Sequence, residues 1–255
     1  MTSTSRIYKT EAIVLKHFPY GEGDYILTLY TPNLGKIRLM AKGARKIRSK
    51  LGGHIEPLMH SALLVRKGTN LDAINQAELL DGYRSIREDL ERLSQAMYFC
   101  ELLDKITPDE EPHPHLFNLL QETLDILSEN PQQMLIPYFQ MKLLQETGFM
   151  PELYTCIECN INIQPNRHRF LIDRGGIICE QCRPAGPVPI PISLQALKVL
   201  RFLQSGESFI GVSKLHLRTK TIGELDKLLT TFINHILDSD VKSYRFLNEV
   251  SCSRM

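Results

Sequence analysis

Four cysteines in two close pairs are the residues of this chain with the clearest chemical meaning. Cys156 and Cys159 form one Cys-x-x-Cys pair, Cys179 and Cys182 form the other, and nineteen residues separate the pairs. This spacing is typical of a four-cysteine zinc site, because each pair can turn two thiolates toward one point. A redox dithiol or two disulfides would need no second matching pair at this distance. Since four protein ligands leave no open position, the pattern predicts one structural zinc ion.

A run of cations without any carboxylate lies between Gly35 and Gly52, in a chain whose formal net charge is only +1. Such a local excess favours a surface that binds a polyanion, although short cationic runs are also common on ordinary solvated surface. The run crosses the end of a predicted strand and enters a loop, where it could follow a phosphate backbone. Its seven candidate contacts are Lys36, Arg38, Lys42, Arg45, Lys46, Arg48 and Lys50.

Motifs for enzymatic chemistry are missing from the sequence. The segment Gly21-Glu-Gly23-Asp24 lacks the third glycine and the Lys-Ser/Thr of a phosphate-binding loop, and no Gly-x-Ser-x-Gly or His-Glu-x-x-His occurs. We therefore expect a protein that is not an enzyme. The start of the chain has no apolar stretch, and nowhere do eighteen apolar residues follow one another. These features predict a cytoplasmic protein without a signal peptide or a membrane span.

The first eighty residues must position the cationic run, and they are typical of a small β-barrel. Five short strands are predicted, separated by turn residues about every ten positions, at 6–15, 25–31, 36–41, 57–65 and 71–80. The oligonucleotide-binding (OB) fold is the commonest five-stranded barrel, and an SH3-like barrel is the alternative. Such barrels often stack bases on aromatic rings, for which the sequence offers Tyr8, Tyr20, Tyr25 and Tyr30.

The rest of the chain is predicted to be helical around the cysteine pairs. Apolar residues recur at three- and four-residue steps in 81–150 and again in 186–255, whereas 151–185 is rich in Cys, Gly and Pro. Residues 1–80 carry twelve Lys or Arg against six Asp or Glu, while 81–150 carry five against thirteen. We therefore predict a barrel domain at 1–80 and an all-helical domain at 81–150 and 186–255. The four-cysteine zinc finger at 151–185 is inserted into the helical domain.

In this order, the sequence resembles the RecO family of bacterial recombination mediators over nearly its whole length. The resemblance is carried by three segments of the barrel and by the cysteine insertion that some members share. These segments are Tyr8-Lys-Thr-Glu-Ala-Ile-Val-Leu15, Tyr20-Gly-Glu-Gly-Asp24 and Lys42-Gly-Ala-Arg45-Lys46. By matching position, Lys42, Arg45 and Lys46 take the DNA-contacting role, and the four cysteines take the metal-binding role.

The resemblance implies a non-enzymatic protein that binds single- and double-stranded DNA, anneals complementary strands and is associated with the nucleoid. It also implies partners: the acidic C-terminal tail of single-strand DNA-binding protein, RecR and, indirectly, the RecA recombinase. An acidic, apolar tail requires cations beside an apolar groove, for which Lys198, Arg201 and Lys214 are candidates. An RNA-binding barrel protein and a zinc-stabilised nuclease are the alternative functions.

Overall fold

The computed structural model describes residues 6–130, 132–164, 168–184 and 186–252. The chain forms two compact units, of which the first comprises Met1–Asn130 with Lys242–Met255 and the second comprises Pro131–Val241. This grouping differs from the four predicted segments, because the helix at the end of the chain packs with the helices that directly follow the barrel.

Five strands build the first part of the first unit, and their number is as predicted. They are β1 (Ile7–Tyr20), β2 (Asp24–Thr31), β3 (Gly35–Ala41), β4 (His60–Arg66) and β5 (Asp72–Asp81). The strand order is β1-β2-β3-β5-β4, and β4 pairs back with β1, so that the sheet closes into a barrel. All neighbouring strands are antiparallel except β3 and β5.

Strand β1 is longer than predicted, because it continues to Tyr20 instead of ending at Leu15. Its first half, up to Ile13, pairs with β4, and its second half pairs with β2. The register shifts between Val14 and Lys16, where a bulge bends a strand and increases its twist. One strand can therefore serve both neighbours, and the apolar residues that alternate inward from all five strands fill the barrel.

The described residues also form eight α-helices. Those of the first unit are α1 (Arg84–Arg87), α2 (Leu90–Ile106), α3 (Pro114–Glu129) and α8 (Lys242–Cys252). Those of the second unit are α4 (Leu135–Glu146), α5 (Leu194–Gln204), α6 (Phe209–Ser213) and α7 (Thr219–Ile236). The helix predicted from Tyr83 is in fact interrupted after α1, because the Asp89 side chain accepts hydrogen bonds from the amides of Glu91 and Arg92 and caps α2. None of the helices described is long and apolar enough to cross a bilayer.

The carboxylate of Glu101 on α2 contacts the first turn of α8. Glu101 accepts hydrogen bonds from the backbone amides of Lys242 at 3.0 Å and Ser243 at 2.7 Å, at the first turn of α8. Burial raises the pKa of Glu101, but the hydrogen bonds from Ser243 and Lys242 and the charge of Lys105 outweigh burial and hold the pKa below its ordinary value. The ionised carboxylate is therefore the form that binds α8.

The second unit contains a small sheet of β6 (His168–Leu171), β7 (Gly176–Ile178) and β8 (Ile190–Ile192), in the order β7-β6-β8. Strands β6 and β7 form the hairpin predicted between the cysteine pairs, although Arg167 lies outside the described residues. Gly175 closes the turn at φ +60°, and a Cβ atom there would lie 2.9 Å from Cζ of Phe232. Only glycine meets both conditions, so the turn can pack against α7.

Candidate nucleic-acid interface and metal centre

The seven predicted cationic contacts lie in three different environments, and Lys36 is the one that stabilises the fold. Its side chain is 9% exposed, and its ammonium donates hydrogen bonds to the carbonyl oxygens of Asp104 at 2.6 Å and Thr107 at 2.7 Å. The same nitrogen lies 3.2 Å from a carboxylate oxygen of Asp109. Lys36 therefore ties β3 to the end of α2 and is not available to a phosphate, which corrects its place among the predicted contacts.

Arg38 is exposed but already has a partner. Two residues further along β3, its guanidinium lies 3.1 Å from the carboxylate of Asp109. The backbone supports this contact, because Lys36 forms a parallel β-bridge with Asp109. The carbonyl oxygen of Lys36 also accepts a hydrogen bond from the amide of Glu110. An exposed ion pair is weak, so Arg38 can exchange this carboxylate for another anion at small cost.

The remaining five cations lie on one exposed loop, residues 42–50, which we call the basic loop. Lys42, Arg45, Lys46, Arg48 and Lys50 are all exposed. Among the described residues, no carboxylate forms an ion pair with any of them. Five unpaired charges within nine residues produce a strong local positive potential.

The basic loop has a defined conformation. The amide of Arg45 donates to the carbonyl of Gly23 at 3.0 Å, and the amide of Gly43 donates to the carboxylate of Asp24 at 2.7 Å. Ala44 is buried among the apolar side chains of the barrel. The turn between β1 and β2 therefore holds the loop, and the charged side chains are left on its outer surface.

The structure contains a groove beside the basic loop that the sequence did not predict. We call it the barrel groove, and its lining combines apolar side chains with three cations, one each from the basic loop, from β4 and from the connection between β4 and β5. The lining residues are Tyr20, Ile26, Met40, Lys42, Arg66, Lys67, residues 68–71 and Ala73. The cations at 66 and 67 are far from the basic loop in sequence, and closure of the barrel brings them close to it.

One of the four tyrosines is free to stack on a base. Tyr20 is 53% exposed in the barrel groove, whereas Tyr30 is completely buried. Tyr8 donates its hydroxyl to the carboxylate of Asp72 at 2.9 Å, and Tyr25 is stacked on His17 with ring centroids 4.2 Å apart. Burial, followed by the hydrogen bond to Asp72, raises the pKa of Tyr8, so that this phenol stays a donor.

In the second unit, the four predicted cysteines form a single cluster. The Sγ atoms of Cys156, Cys159, Cys179 and Cys182 all lie within 4.8 Å of one another. The sulfurs of Cys156 and Cys182 are 3.8 Å apart, and those of Cys159 and Cys179 are also 3.8 Å apart. Four sulfurs at the zinc–thiolate distance of a tetrahedral site are about 3.8 Å apart. The predicted convergence of the two pairs is confirmed, and the cluster can hold a metal ion.

The ionisation of these thiols favours a cation at their centre. Burial raises the pKa of Cys156, but the amides of Cys179, Cys159 and Glu158 donate to its sulfur and lower the pKa to about 6. Hydrogen bonds with the thiols of Cys179 and Cys159 raise the pKa of Cys182 instead. Without a cation the protein stabilises negative charge on part of the cluster only, because neighbouring thiolates repel one another. A bound metal ion allows all four to ionise.

Two arginines support the loops that carry the cysteines. Arg169 on β6 donates to the carbonyl oxygens of Cys179 at 2.9 Å and Cys182 at 2.8 Å. Arg174 donates to the carboxylate of Glu158 at 2.5 Å and to the carbonyl of Ile157 at 2.9 Å. Each arginine fixes one Cys-x-x-Cys loop, and such contacts outside the ligand shell orient the ligands of metal sites.

Comparison with known families covers both parts of the chain. Residues 4–83, which contain the barrel and the basic loop, match the family model described as Recombination protein O N terminal. Residues 87–245, which contain the cysteine cluster, match the model described as Recombination protein O C terminal. The chain belongs to the RecO family. Its resemblance to that family is thereby confirmed over nearly its whole length.

Curated members of the RecO family align with almost all of the chain. The protein of Roseiflexus sp. (strain RS-1) is 36% identical over 96% of this chain and 86% of its own length. The proteins of Dehalococcoides mccartyi (strain CBDB1) and Bacillus pumilus (strain SAFR-032) are each 33% identical, over 95% and 96% of this chain and 96% and 94% of their own lengths. All three are named DNA repair protein RecO.

The three cations suggested for an acidic tail are in different environments in this RecO-family chain. Lys198 and Lys214 are exposed. Arg201 instead donates two hydrogen bonds to the carbonyl oxygen of Leu153, at 3.0 and 2.7 Å, and its guanidinium lies 4.7 Å from the ring centroid of Tyr154. Arg201 therefore helps to hold the segment before the first cysteine pair.

Proposed function

We propose that this protein is a non-enzymatic recombination mediator that binds single- and double-stranded DNA through the basic loop and the barrel groove. The observation that carries the proposal is the set of five exposed, unpaired cations on the basic loop of a RecO-family chain. The DNA contacts that we propose are Arg38, Lys42, Arg45, Lys46, Arg48 and Lys50, with Tyr20, Arg66 and Lys67 added from the barrel groove.

We further propose that the barrel is an OB-fold domain. In OB folds, the face of the second and third strands and the loops after the first and fourth strands bind oligonucleotides. The barrel groove lies at the corresponding place, because it includes Ile26 of β2, Met40 of β3 and residues 67–71 between β4 and β5. On this proposal Tyr20 stacks on a base while Lys42 and Lys67 contact phosphates.

Binding of this kind is independent of DNA sequence, because lysine and arginine contact phosphates and release counterions. If all five cations of the basic loop contact phosphates, the loop alone contributes about −3.5 for single strands and about −4.5 for duplexes to the slope of the log–log dependence of affinity on salt. Annealing follows if two strands occupy cationic surface at once and their mutual repulsion is screened.

We propose the partners of the family for this chain as well: the acidic tail of single-strand DNA-binding protein, RecR and, through them, RecA. The exposed cations Lys198 and Lys214 support a contact with an acidic tail. The protein would then act in the cytoplasm, associated with the nucleoid.

The decisive experiment compares two triple charge reversals of the full chain. Lys42→Glu with Arg45→Glu and Lys46→Glu is expected to weaken binding to single-stranded and duplex DNA at least a hundredfold at low salt. The matched control reverses Arg84, Lys220 and Lys227, which are also exposed but lie outside the barrel. Equal affinities of the two variants would refute the proposed interface.

Two further assays separate mediation from the alternative functions. Annealing of complementary strands, with and without a coat of single-strand DNA-binding protein, tests mediation, which requires annealing to continue on the coated strand. Stronger binding to RNA without annealing of DNA would instead favour an RNA-binding protein. Cleavage of labelled DNA in the presence of magnesium would reveal a nuclease.

For the cysteine cluster we propose one structural zinc ion. Four thiolates at tetrahedral spacing suit zinc or an iron–sulfur cluster, and a closed set of four protein ligands leaves no position for substrate. Zinc would supply folding free energy to the segment around the four cysteines, where the cluster of buried apolar side chains is small. Elemental analysis of the purified chain is expected to give one zinc per chain, and Cys179→Ser is expected to lose it; iron with visible absorption would refute the assignment.

A further inference from the structure

An aliphatic side chain stands at the tip of the basic loop. Ile47 has 105% of the reference exposed area, the highest value of any large apolar residue in the described chain. Its sequence neighbours Lys46 and Arg48 are both exposed cations. Because single exposed aliphatic residues are common on proteins, exposure alone has no functional meaning. Its position among five unpaired cations is the feature that requires an explanation.

Hydrogen bonds of the loop backbone fix the position of Ile47. The amide of Ser49 donates to the carbonyl of Lys46 at 2.8 Å, so residues 46–49 form a β-turn with Ile47 at its first corner. The turn is stabilised from both sides, because the amide of Lys46 bonds to Gly43 and the amide of Leu51 bonds to the Ser49 hydroxyl. Ile47 is therefore held at a defined apex rather than on an unstructured tail.

We propose that Ile47 inserts between base pairs of duplex DNA that the basic loop holds by its phosphates. The inference rests on the proposed function and adds a contact to the bases of a duplex at the basic loop, for which that function includes contacts to phosphates only. Proteins that kink duplexes use the same combination, in which cations follow the backbone while an apolar side chain of Phe, Leu, Ile, Met or Pro enters a base step. An exposed apolar side chain surrounded by cations is complementary to duplex DNA, in which anionic phosphates surround the apolar faces of stacked bases.

Insertion also selects the kind of DNA. A wedge must separate two stacked base pairs, and this separation costs least where stacking is already interrupted. A nick, a mismatch or a junction between duplex and single strand offers such a step. Ile47 would therefore direct the protein to the border of a single-stranded gap, with the barrel groove next to it to take the single strand.

The test uses a duplex with a single-stranded overhang and 2-aminopurine at the junction, whose fluorescence rises when the base is unstacked. The full chain is expected to raise this fluorescence, and Ile47→Ala is expected to abolish the rise and to weaken binding by about tenfold. The salt dependence should keep its slope, because Ile47 contacts no phosphate. Ile47→Met, which preserves a wedge-sized apolar group, should retain the rise.

A matched control and a charge variant separate the possible results. Val188→Ala removes a β-branched side chain that is 90% exposed in the second unit, and it should change neither fluorescence nor affinity. If Ile47→Ala behaves as the unaltered chain while the Lys42, Arg45 and Lys46 reversal still loses DNA, the wedge is refuted and the proposed interface stands. If the charge reversal also binds normally, the proposed interface itself fails.

Discussion

Lys36 and Lys46 belong to the same cationic run, and the structure predicts opposite consequences when each is changed to methionine. Methionine keeps an unbranched apolar chain of similar length and removes only the ammonium. Lys46 is exposed, so Lys46→Met should change the free energy of unfolding by no more than about 0.5 kcal/mol. It should weaken DNA binding and make the salt slope shallower by about 0.7 for single strands and 0.9 for duplexes.

Lys36→Met should destabilise the first unit instead. Asp104 would keep Lys16 as a partner and Asp109 would keep Arg38, so neither carboxylate is left unpaired. The main loss is that of two charge-assisted hydrogen bonds to the carbonyls of Asp104 and Thr107, each contributing roughly 1.5–3 kcal/mol. We expect a total of about 3–6 kcal/mol, the sum of the two lost hydrogen bonds.

Urea denaturation measures the change in the free energy of unfolding. Unfolding is followed by far-ultraviolet circular dichroism, because the chain has no tryptophan. Titration of a labelled oligonucleotide at several salt concentrations measures the affinity for DNA and its salt slope. A Lys36→Met variant that is as stable as the unaltered chain would show that the buried hydrogen bonds contribute nothing. A shallower salt slope for Lys36→Met, measured where the variant is folded, would show that Lys36 contacts phosphate after all.

Three other predictions address the barrel groove, the cysteine cluster and α8. Tyr20→Ala should weaken binding to a short single strand by about 1–3 kcal/mol, whereas Tyr20→Phe should not, as measured by fluorescence anisotropy; equal losses would mean that the hydroxyl, not stacking, matters. Arg169→Lys should speed the release of metal to a chromogenic chelator by about 10–100-fold, because both carbonyls bond to one terminal guanidinium nitrogen, Nη2, whose position the shorter lysine side chain does not reach; an unchanged rate would remove Arg169 from the support of the cluster. The hydrogen bonds to α8 hold the pKa of Glu101 below its ordinary value, so their stabilising contribution is present above that value and is lost as the pH falls through the lowered pKa. Amide hydrogen exchange in 242–252 should therefore become faster in acid than the intrinsic pH dependence of exchange rates accounts for. Glu101→Gln should show this fast exchange already at neutral pH, and identical protection in both chains would contradict the role of Glu101.

Features that depend on short-range sequence patterns were predicted well. Turn residues separate the five strands, and the spacing within each Cys-x-x-Cys pair determines how two sulfurs converge. Both features appear in the structure, as does the hairpin whose turn is closed by Gly175. In each of these cases the residues that decide the local conformation are close together in the sequence.

The errors arose where distant segments meet. The burial of Lys36 depends on residues 104–109, about seventy positions away, and nothing in the run itself distinguishes Lys36 from the exposed Lys46. The barrel groove likewise joins Tyr20 to Lys67 only because the barrel closes. A charge run therefore predicts an interface in general, while the tertiary fold decides which of its members reach the ligand.

The return of α8 to α2 has a consequence for synthesis on the ribosome. Helix α2 ends at Ile106, but its partner begins only at Lys242, after the whole second unit has been translated. At 5–20 residues per second, the intervening stretch takes roughly 7–27 s to make. During this interval the surface of α2 that receives α8 is uncovered in the nascent chain. A stop codon shortly before Lys242 would thus damage the unit that was synthesised first and leave intact the sequence of the unit that was synthesised last.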